Sequence, residues 1–440
     1  MTLRLLCLGD LHLGRRPRHL PERLDEYDIP VEQLTPARGW QNAVDYAVRE
    51  SVDAVLLAGD VVESDNRYFE ALAPLERGIR TLRDAGIPVI GVAGNHDHQV
   101  LEPLAASLEG FELLGRGGKW ESTEIGRSEK RLRIWGWSFP SRWYADDPVT
   151  DFPDEPDGTA SIGLLHCHLD AIESEHAPTT RRNLEARSPR AWLLGHIHKP
   201  SALSGPRPIG YLGTVVGLDA SETGVRGGWR LEIDEHEAIS IEQVPLAPLR
   251  WETIDLDIEE LRSEADLSPA IANALRRAHD HWAGGLGPAN VIGVSLRLVG
   301  RSSLHRRLRK SVRELEAEEI VVVHDETTYA VVRIIDLAAP KLDLERIALG
   351  HDPAALLAQR LLILEGEPND EWRALVDAAR PALFARAENG MWDALDPAPL
   401  EDDAIAERLR RSGLRTLEDL LAQIGSPTLE TSDLEQGALF

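Results

Sequence analysis

The sequence predicts an α/β fold for most of this 440-residue chain. Two observations support this class. Short apolar runs alternate with amphipathic helical stretches through the first 245 residues, and a glycine or a polar residue ends most of these runs. Near residue 246 the pattern changes to a smaller α/β segment, and from residue 340 it becomes helical. We therefore expect three regions, at residues 1–245, 246–339 and 340–440.

In the first region the predicted elements alternate in the order of βαβ units. Two helices are expected, at 40–50 and 68–84, where apolar residues recur at helical spacing. The runs that we predict as strands are 3–8, 54–58, 89–93, 131–137, 162–165, 192–194 and 209–212, and residues 229–233 begin a closing hairpin. An acidic, proline-bearing surface loop is expected at 144–158.

The second and third regions differ from the first in their periodicity. The second contains a predicted helix at 269–281, a strand at 291–299, a basic helix at 302–316 and a strand pair at 320–324 and 328–334. The third is predicted to be all-helical, with helices at 353–365, 370–386, 402–411 and 416–424. The last dozen residues are expected to fray.

Composition restricts the classes of function. The net charge of -26 opposes non-specific coating of a polyanion, although local arginines or bound cations can dominate at short range. Two cysteines, Cys7 and Cys167, cannot form a disulfide scaffold, which is typical of a reducing cytoplasm. No apolar run of about 18 residues occurs, and the apolar start reaches Asp10 too soon for a signal peptide. We expect a cytoplasmic protein with no membrane partner.

Five polar motifs stand where predicted strands end. Because chemistry in open α/β sheets gathers at the carboxyl ends of strands, all five can converge on one crevice. Each motif alone is consistent with an ordinary turn, but five in this order, each after its own strand, indicate a site. The motifs are Gly9-Asp10-Leu11-His12, Gly59-Asp60, Gly94-Asn95-His96-Asp97, His166 after "SIGLL", and Gly195-His196-Ile197-His198.

These motifs offer seven candidate metal ligands of mixed carboxylate, imidazole and amide character. Such donors suit Mn²⁺, Fe²⁺ or Zn²⁺, and seven are too many for one open catalytic ion. Two ions about 3.5–4 Å apart can activate a hydroxide and hold both oxygens of a phosphoryl displacement. His96 is then free to contact a phosphate and protonate the leaving oxygen. The candidate ligands are Asp10, His12, Asp60, Asn95, His166, His196 and His198.

In these motifs the chain resembles the calcineurin-like metallophosphoesterases, over about residues 1–235. It is most similar to the SbcD-type DNA double-strand-break-repair exonucleases, in particular their YhaO-like branch. The stretches that carry the resemblance include "CLGDLHLG", "VDAVLLAGDVVES", "AGIPVIGVAGNHD" and "LLGHIHKP". The resemblance implies a two-sheet metallophosphoesterase sandwich flanked by helices. We expect the α/β segment at 246–339 to be a capping or DNA-binding domain. The amphipathic helices after residue 340 could dock a partner, or could form a helical subdomain that packs on its own chain.

The resemblance also assigns the ligands. One ion would be held by Asp10, His12, Asp60 and His198. The other would be held by Asp60, Asn95, His166 and His196, so that Asp60 bridges the two.

Three neighbouring residues carry open questions. The third residue after Asp60 is usually His or Asp in these nucleases, whereas here it is Glu63, an auxiliary residue that could set the position of the phosphate or of His96. Asp97 is a second auxiliary candidate. His168 is a rival to His166, which we prefer because it directly ends an apolar run.

Two further stretches could contact nucleic acid. The basic run at 305–313 could track a phosphate backbone, and a solvated helix face explains it equally well. Trp135 and Trp137 share one face of a strand and are expected in the core, whereas Trp143 lies in a loop and is the better candidate for stacking on a base.

The resemblance implies a Mn²⁺-dependent 3′→5′ exonuclease with some single-strand endonuclease activity. It also implies a homodimer and a coiled-coil ABC-type ATPase partner of SbcC or YhaN kind. The chain has no Walker A sequence, so an ATP-driven step would come from the partner. Two alternatives remain: a metallophosphoesterase acting on nucleotides or phosphoproteins, and a non-catalytic subunit that binds DNA ends or regulates the ATPase.

Overall fold

A computed structural model describes residues 2–63, 68–127, 130–153, 159–171, 173–317, 320–387 and 401–425. Residues 154–158 of the predicted acidic loop and the last dozen residues lie outside these ranges. The chain divides into two compact units, the first made of residues 1–254, 273–296 and 318–333, the second of residues 255–272, 297–317 and 334–440. The domain boundaries after residues 245 and 339 stay predictions.

The strands of the described residues, in chain order, are β1 (Leu3–Leu8), β2 (Ala54–Leu57), β3 (Val89–Gly91), β4 (Phe111–Leu113), β5 (Glu121–Arg127), β6 (Lys130–Trp137), β7 (Ser161–His166), β8 (His168–Leu169), β9 (Pro178–Thr179), β10 (Ala191–Gly195), β11 (Ile209–Tyr211), β12 (Gly227–Ile233), β13 (Ile239–Pro245), β14 (Leu249–Asp257), β15 (Val291–Val299), β16 (Arg301–Ser302), β17 (Val321–His324), β18 (Thr327–Asp336) and β19 (Ala339–Pro340). The α-helices are α1 (Pro36–Glu50), α2 (Tyr68–Asp84), α3 (Leu101–Ser107), α4 (Arg181–Glu185), α5 (Leu267–Trp282), α6 (His305–Ala317), α7 (Leu344–Ala348), α8 (Pro353–Glu365), α9 (Asp370–Ala387) and α10 (Asp402–Gly425).

Two sheets form the first part of the chain. The six-stranded sheet has the order β13-β12-β1-β2-β3-β4, and the five-stranded sheet has the order β11-β10-β7-β6-β5. The strands β1 to β4 run parallel, as do β6, β7, β10 and β11. Antiparallel pairing is confined to β12 and β13 in the first sheet and to β5 in the second. The parallel strands therefore end on a common side within each sheet.

A buried apolar layer joins these two sheets. Leu5 and Leu56 of the first sheet belong to the same core cluster as Ile134, Leu164 and Leu193 of the second. On its other face the first sheet packs against α1 and α2. At about 25 cal/mol for each Å² of buried apolar surface, two such layers supply the main stabilisation of this part of the chain. The predicted α/β class and its two-sheet sandwich flanked by helices are confirmed.

The other face of the second sheet is aromatic. Trp137 and Trp192 are fully buried there, and Phe152 packs edge-on against Trp192 with ring centroids 5.5 Å apart. Trp135 packs against the same cluster. Trp137 is thus a core residue, as the sequence predicts, whereas Trp135 is partly buried at the edge of the same cluster.

The rest of the chain is a small α/β segment followed by helices. Strands β14, β15, β18 and β17 form a four-stranded sheet in that order, accompanied by α5 and α6. The C-terminal helices α8 and α10 pack together through Leu361, Leu414 and Leu417. The predicted α/β segment and the helical C-terminal region are confirmed.

One helix prediction is wrong in its division. The helices predicted at 402–411 and 416–424 are the single helix α10, which runs through Gly413. A Cβ atom on Gly413 would lie 2.8 Å from Cδ2 of Leu361 on α8. The glycine therefore permits close helix packing and does not end the helix.

Among the described residues, no helix is long and apolar enough to cross a membrane.

Candidate metal centre

The five motifs follow five strands of the two sheets. Asp10 and His12 follow β1, Asp60 follows β2, and Asn95 follows β3, while β7 ends at His166 and β10 precedes His196 and His198. The backbone is unusual at three of these residues, since φ is 47° at His12, 47° at Asp60 and 103° at His196. Non-glycine residues rarely adopt positive φ, and such strain concentrates at functional sites.

Glycines beside these residues allow segments of the backbone to approach the candidate ligands closely. A Cβ atom on Gly94 would lie 2.2 Å from Oδ1 of Asp60 and 2.7 Å from its backbone nitrogen. A Cβ atom on Gly59, where φ is 93°, would lie 2.6 Å from Nδ1 of His166. The glycine in each of these motifs therefore has a packing reason, because a larger residue would displace a candidate ligand.

The first group of candidate ligands comprises Asp10, His12 and His198, whose donor atoms lie within 4.8 Å of one another. Nε2 of His12 lies 3.1 Å from Nε2 of His198. On its far side the His198 ring donates from Nδ1 to Oε1 of Glu222, at 2.7 Å. This bond leaves the lone pair of His198 Nε2 directed at His12, an orientation that is typical of metal-binding histidines.

The second group comprises Asp10, Asp60 and His166, together with Asn95. His166 donates from Nδ1 to the carbonyl oxygen of Ala58, at 3.1 Å. Its Nε2 then faces Oδ1 of Asn95 at 3.0 Å and Oδ2 of Asp60 at 3.5 Å. Three acceptor atoms thus converge without a hydrogen between them, which is the arrangement that a bound cation satisfies.

Asp60 lies between the two groups. The same oxygen, Oδ2, is 3.8 Å from Nε2 of His12 and 3.5 Å from Nε2 of His166. Its other oxygen accepts the backbone N–H of His96, at 2.9 Å. Burial raises the pKa of Asp60, but the surrounding imidazoles lower it by more, so the net pKa lies below its usual range. A carboxylate held in this position is suited to bridge two cations.

A buried atom with no partner supports the fit of metal ions. Within the described residues, Oδ2 of Asp10 is buried and has no hydrogen-bond partner, while Oδ1 accepts the backbone N–H of His196 at 2.9 Å. Leaving a buried carboxylate oxygen unsatisfied is costly, and a divalent cation would remove the cost. The residues present therefore fit two divalent ions.

His96 differs from the candidate ligands in its exposure. Its side chain is 30% exposed, whereas those of His12, Asp60 and His166 are nearly completely buried. Its Nδ1 lies 3.1 Å from Oε1 of Glu63, and this hydrogen bond raises the pKa of His96. Within the described residues, the other ring nitrogen is available to meet a substrate.

Glu63 links several side chains at the edge of the centre. Its carboxylate pairs with Arg15 and lies 3.5 Å from Nδ1 of His12, in addition to its contact with His96. Burial raises the pKa of Glu63, but hydrogen bonds from the two imidazoles and the charge of Arg15 bring it below its usual range. Glu63 is therefore ionised and positions the rings on either side of it.

Asp97 holds the loops in place. Its Oδ2 accepts the backbone N–H groups of Val61 and Val62, at 2.6 and 3.3 Å, and its Oδ1 accepts that of Gly94, at 2.7 Å. Complete burial, followed by the nearby charge of Asp60, raises its pKa to about 8. Asp97 joins the loop after β2 to the loop after β3, and this contact supports Asp60 and Asn95.

The structure places His166 and His168 differently. His166 lies among the candidate ligands, whereas Nδ1 of His168 is 2.9 Å from Oγ of Ser174, and the His168 ring lies 5.2 Å from that of His196. His196 is 5.3 Å from His166, measured between ring centroids. All seven candidate ligands and His96 therefore come together, and their assignment to two ions stays a prediction.

Sequence reasoning missed three residues around the centre. Glu222 orients His198, and Arg226 donates to the carbonyl oxygen of the same histidine. His176 lies 4.9 Å from His196 between ring centroids, and within the described residues its Nδ1 has no hydrogen-bond partner. Glu222 and Arg226 lie in the glycine-rich segment "GLDASETGVRGG", where no spacing distinguishes them from ordinary surface residues.

Two parts of the chain match known protein families. Residues 3–200 match the calcineurin-like phosphoesterase family. Those residues form a calcineurin-like metallophosphoesterase domain. Residues 251–326 match the middle domain of the metallophosphoesterase YhaO. The predicted resemblance to this superfamily, and to its YhaO-like branch, is confirmed.

Proteins similar to this chain include some that are named for DNA repair. The uncharacterized metallophosphoesterase YhaO of Bacillus subtilis is 29% identical over 268 residues, which are 59% of this chain and 64% of that protein. The DNA double-strand break repair protein Mre11 of Aeropyrum pernix is 29% identical over 292 residues, 62% of this chain and 68% of its own length. The chain thus spans less than two-thirds of the Bacillus protein.

Among solved structures, this chain is similar to a dimetal phosphatase from Danio rerio. It is 14% identical and covers 53% of this chain and 93% of its own length, with a TM-score of 0.34.

Proposed function

We propose that this metallophosphoesterase is a Mn²⁺-dependent DNA nuclease of DNA repair, a 3′→5′ exonuclease with single-strand endonuclease activity. One observation carries the proposal. His96, a partly exposed imidazole braced by Glu63, stands at the rim of a buried set of carboxylate, imidazole and amide donors. This arrangement provides a proton donor beside a site for cations, which phosphodiester hydrolysis requires.

The donor groups would hold two ions. In this proposal Asp10, His12, Asp60 and His198 hold one, and Asp60, Asn95, His166 and His196 hold the other. Oxygen and nitrogen donors without thiolates favour Mn²⁺, with Fe²⁺ and Zn²⁺ as alternatives. When bound, the ions supply positive charge to the phosphate oxygens and lower the pKa of a water molecule.

The side chains of this protein orient His96 and limit the access of water. Glu63 holds Nδ1 of His96, so that Nε2 points away from Glu63 and can carry a proton to the leaving 3′-oxygen. The backbone N–H of His96 bonds to Asp60, which fixes the position of the imidazole relative to the candidate ligands. The neighbouring candidate ligands are buried, which limits the access of bulk water.

An exposed aromatic residue favours a substrate with bases. Trp143 is 54% exposed, and its ring lies 5.0 Å from that of His176, which lies 4.9 Å from that of His196. The guanidinium of Arg142 lies 5.5 Å from the Trp143 ring. An indole on this path offers a stacking surface to an unpaired base near the scissile phosphate. This observation favours DNA over a phosphoprotein or a small phosphate ester.

The proposal extends to partners and location. Similarity to the DNA double-strand break repair protein Mre11 supports DNA as the substrate. From the resemblance of the sequence motifs we extend the proposal to a homodimer and to a coiled-coil ABC-type ATPase of SbcC or YhaN kind. The helices after residue 340 would dock that ATPase, and the assembly would act in the cytoplasm.

The test is a nuclease assay with Mn²⁺ on end-labelled single- and double-stranded DNA, with and without a co-purified ATPase. We expect shortening from 3′ ends, lost in the His96→Ala variant. Cleavage of nucleotide monoesters with intact DNA would identify a different metallophosphoesterase. DNA binding without any hydrolysis would identify a non-catalytic end-binding subunit.

A further inference from the structure

A second cluster of metal-ligating side chains lies outside the centre described above, within the first unit of the chain. It consists of His279 near the end of α5, His324 at the end of β17, and Asp325 in the turn that leads to β18. Their donor atoms all lie within 4.8 Å of one another. We refer to these three residues as the hairpin cluster. None of them contributes to the candidate metal centre at the strand ends, which we call the strand-end centre.

The distances in the hairpin cluster are those of ligands around a small cation. Nε2 of His279 lies 3.4 Å from Oδ2 of Asp325. The rings of His279 and His324 have centroids 4.4 Å apart and an interplanar angle of 75°. Four ligands placed tetrahedrally at about 2.0–2.3 Å from zinc are separated from one another by similar distances.

Tyr329 fixes the orientation of the central histidine. Its Oη lies 2.9 Å from Nδ1 of His279, and both side chains are buried. Burial raises the pKa of Tyr329 to about 12, so the phenol is neutral. With a cation on Nε2, Nδ1 of His279 carries the hydrogen and donates it to the phenol oxygen. The lone pair of His279 Nε2 is then directed at Asp325. Such an outer hydrogen bond is the usual partner of a metal-binding histidine.

A simple ion pair explains this arrangement less well than a cation does. An ion pair or a hydrogen bond between His279 and Asp325 alone would leave out His324, whose ring lies 4.4 Å from that of His279. A divalent cation would use both imidazoles and the carboxylate together. Asp325 is 77% exposed and has φ of 51° in its turn, so its side chain can adjust to an ion that enters from solvent.

We propose that His279, His324 and Asp325 bind a divalent transition-metal ion, with Zn²⁺ as the preferred ion. Two imidazoles and one carboxylate form a donor set suited to zinc, and solvent would complete the coordination. The ion joins the end of α5 to the β17–β18 hairpin and stabilises this contact. Its role is separate from phosphodiester hydrolysis, so it stands whether or not the nuclease proposal holds.

The test measures the zinc content of the full-length chain. Wild type and variants are stripped with a chelator, equilibrated with Zn²⁺, passed through gel filtration and analysed by inductively coupled plasma mass spectrometry. We expect His324→Gln and Asp325→Asn each to lose one ion per chain relative to wild type. His281→Gln is the matched control, because His281 is an exposed histidine in the same helical turn as His279. It should lose none.

A second background separates the two metal sites. In the Asp60→Asn variant, which weakens the strand-end centre, the further change His324→Gln should still remove one zinc ion per chain. Cobalt substitution adds a spectroscopic check, since visible absorption from imidazole-bound Co²⁺ in the Asp60→Asn chain should fall when His324 is replaced. Equal zinc content in wild type and His324→Gln would overturn the proposal, as would an equal loss in the His281→Gln control.

Discussion

The carboxylate of Glu63 lies between two imidazoles, 3.1 Å from Nδ1 of His96 and 3.5 Å from Nδ1 of His12. Arg15 pairs with the same carboxylate. In the nucleases that the sequence resembles, this position usually holds His or Asp. Here the longer acidic side chain reaches both rings, so Glu63 is a positioning residue for His96 and not a substitute for it.

The first prediction concerns Glu63→Gln. The amide keeps the shape of the side chain but removes its charge, so His96 loses the interaction that raises its pKa. If protonated His96 assists the leaving group, the alkaline limb of the activity profile should move to lower pH. We expect kcat to fall about 10- to 100-fold, the range typical of lost outer-sphere support. Steady-state kinetics across pH 5 to 9 measure both effects.

Glu63→Asp provides the matched control. It retains the charge on a shorter side chain, and we expect it to restore part of the shift in the pH profile. A Glu63→Gln profile that coincides with wild type would contradict the positioning role, even if the overall rate fell.

The second prediction separates chemistry from metal binding. His96→Ala should reduce DNA hydrolysis about 10²- to 10⁴-fold, because a positioned proton donor is removed. It should leave the bound Mn²⁺ unchanged, since His96 is not among the proposed ligands. Asp60→Asn should lower both, because the bridging carboxylate loses its charge. Elemental analysis and nuclease assays on the same samples test this, and equal DNA hydrolysis by wild type and His96→Ala would refute the mechanism.

The third prediction concerns the packing of Gly94. In Gly94→Ala the new Cβ atom would lie 2.2 Å from Oδ1 of Asp60 and 2.7 Å from its backbone nitrogen. Asp60 must move, at a cost of about 1–3 kcal/mol in stability. Metal content and activity should fall with it. Gly284→Ala is the control, because a Cβ atom there meets nothing within 4 Å. Comparable melting temperatures and metal contents in the two variants would disprove the packing role.

Local patterns predict the inner parts of this centre well. Asp10, Asn95 and His166 each follow an apolar run, and the end of a buried strand can be read from the sequence alone. Because parallel strands end on a common side of each sheet, the fold itself brings these residues together. The candidate ligands could therefore be predicted from the sequence alone.

The residues that orient the ligands could not be predicted from the sequence in the same way. Glu222 reaches His198 from 24 residues away, and His176 approaches His196 from a loop, with no spacing that distinguishes either from an ordinary surface residue. Gly413 shows the same difficulty in α10, where the residue that suggests a break serves the contact with Leu361. Tertiary packing, not local preference, decides these cases.

The fourth prediction concerns Trp143. If its exposed indole stacks on an unpaired base, Trp143→Ala should weaken the binding of single-stranded DNA by about 1–3 kcal/mol, roughly 5- to 150-fold in Kd. Trp143→Phe should retain part of the affinity. Tyr27→Ala serves as control, because Tyr27 is also an exposed aromatic side chain. Fluorescence anisotropy with a labelled oligonucleotide in Ca²⁺ buffer measures binding without cleavage, and identical affinities for wild type and Trp143→Ala would exclude stacking.

The fifth prediction concerns a buried histidine in the second unit. His305 is 1% exposed, and its Nδ1 lies 2.8 Å from Oε2 of Glu418 on α10. Its Nε2 lies 3.7 Å from Oδ2 of Asp336, which also pairs with Arg415. Burial lowers the pKa of His305, but the two carboxylates raise it by more, so the folded-state pKa lies above its usual value.

A raised pKa in the folded state has a definite sign for stability. The contribution of His305 is fully present below the unfolded pKa of about 6.5 and is lost as pH rises through the higher folded value. Thermal melts of wild type from pH 5 to 9 should therefore show a decline toward alkaline pH that His305→Gln lacks. His351→Gln, at an exposed histidine of the same unit, should follow wild type. Parallel pH profiles for wild type and His305→Gln would mean that His305 stays neutral between the two carboxylates, so that α10 gains no charge-assisted contact from it.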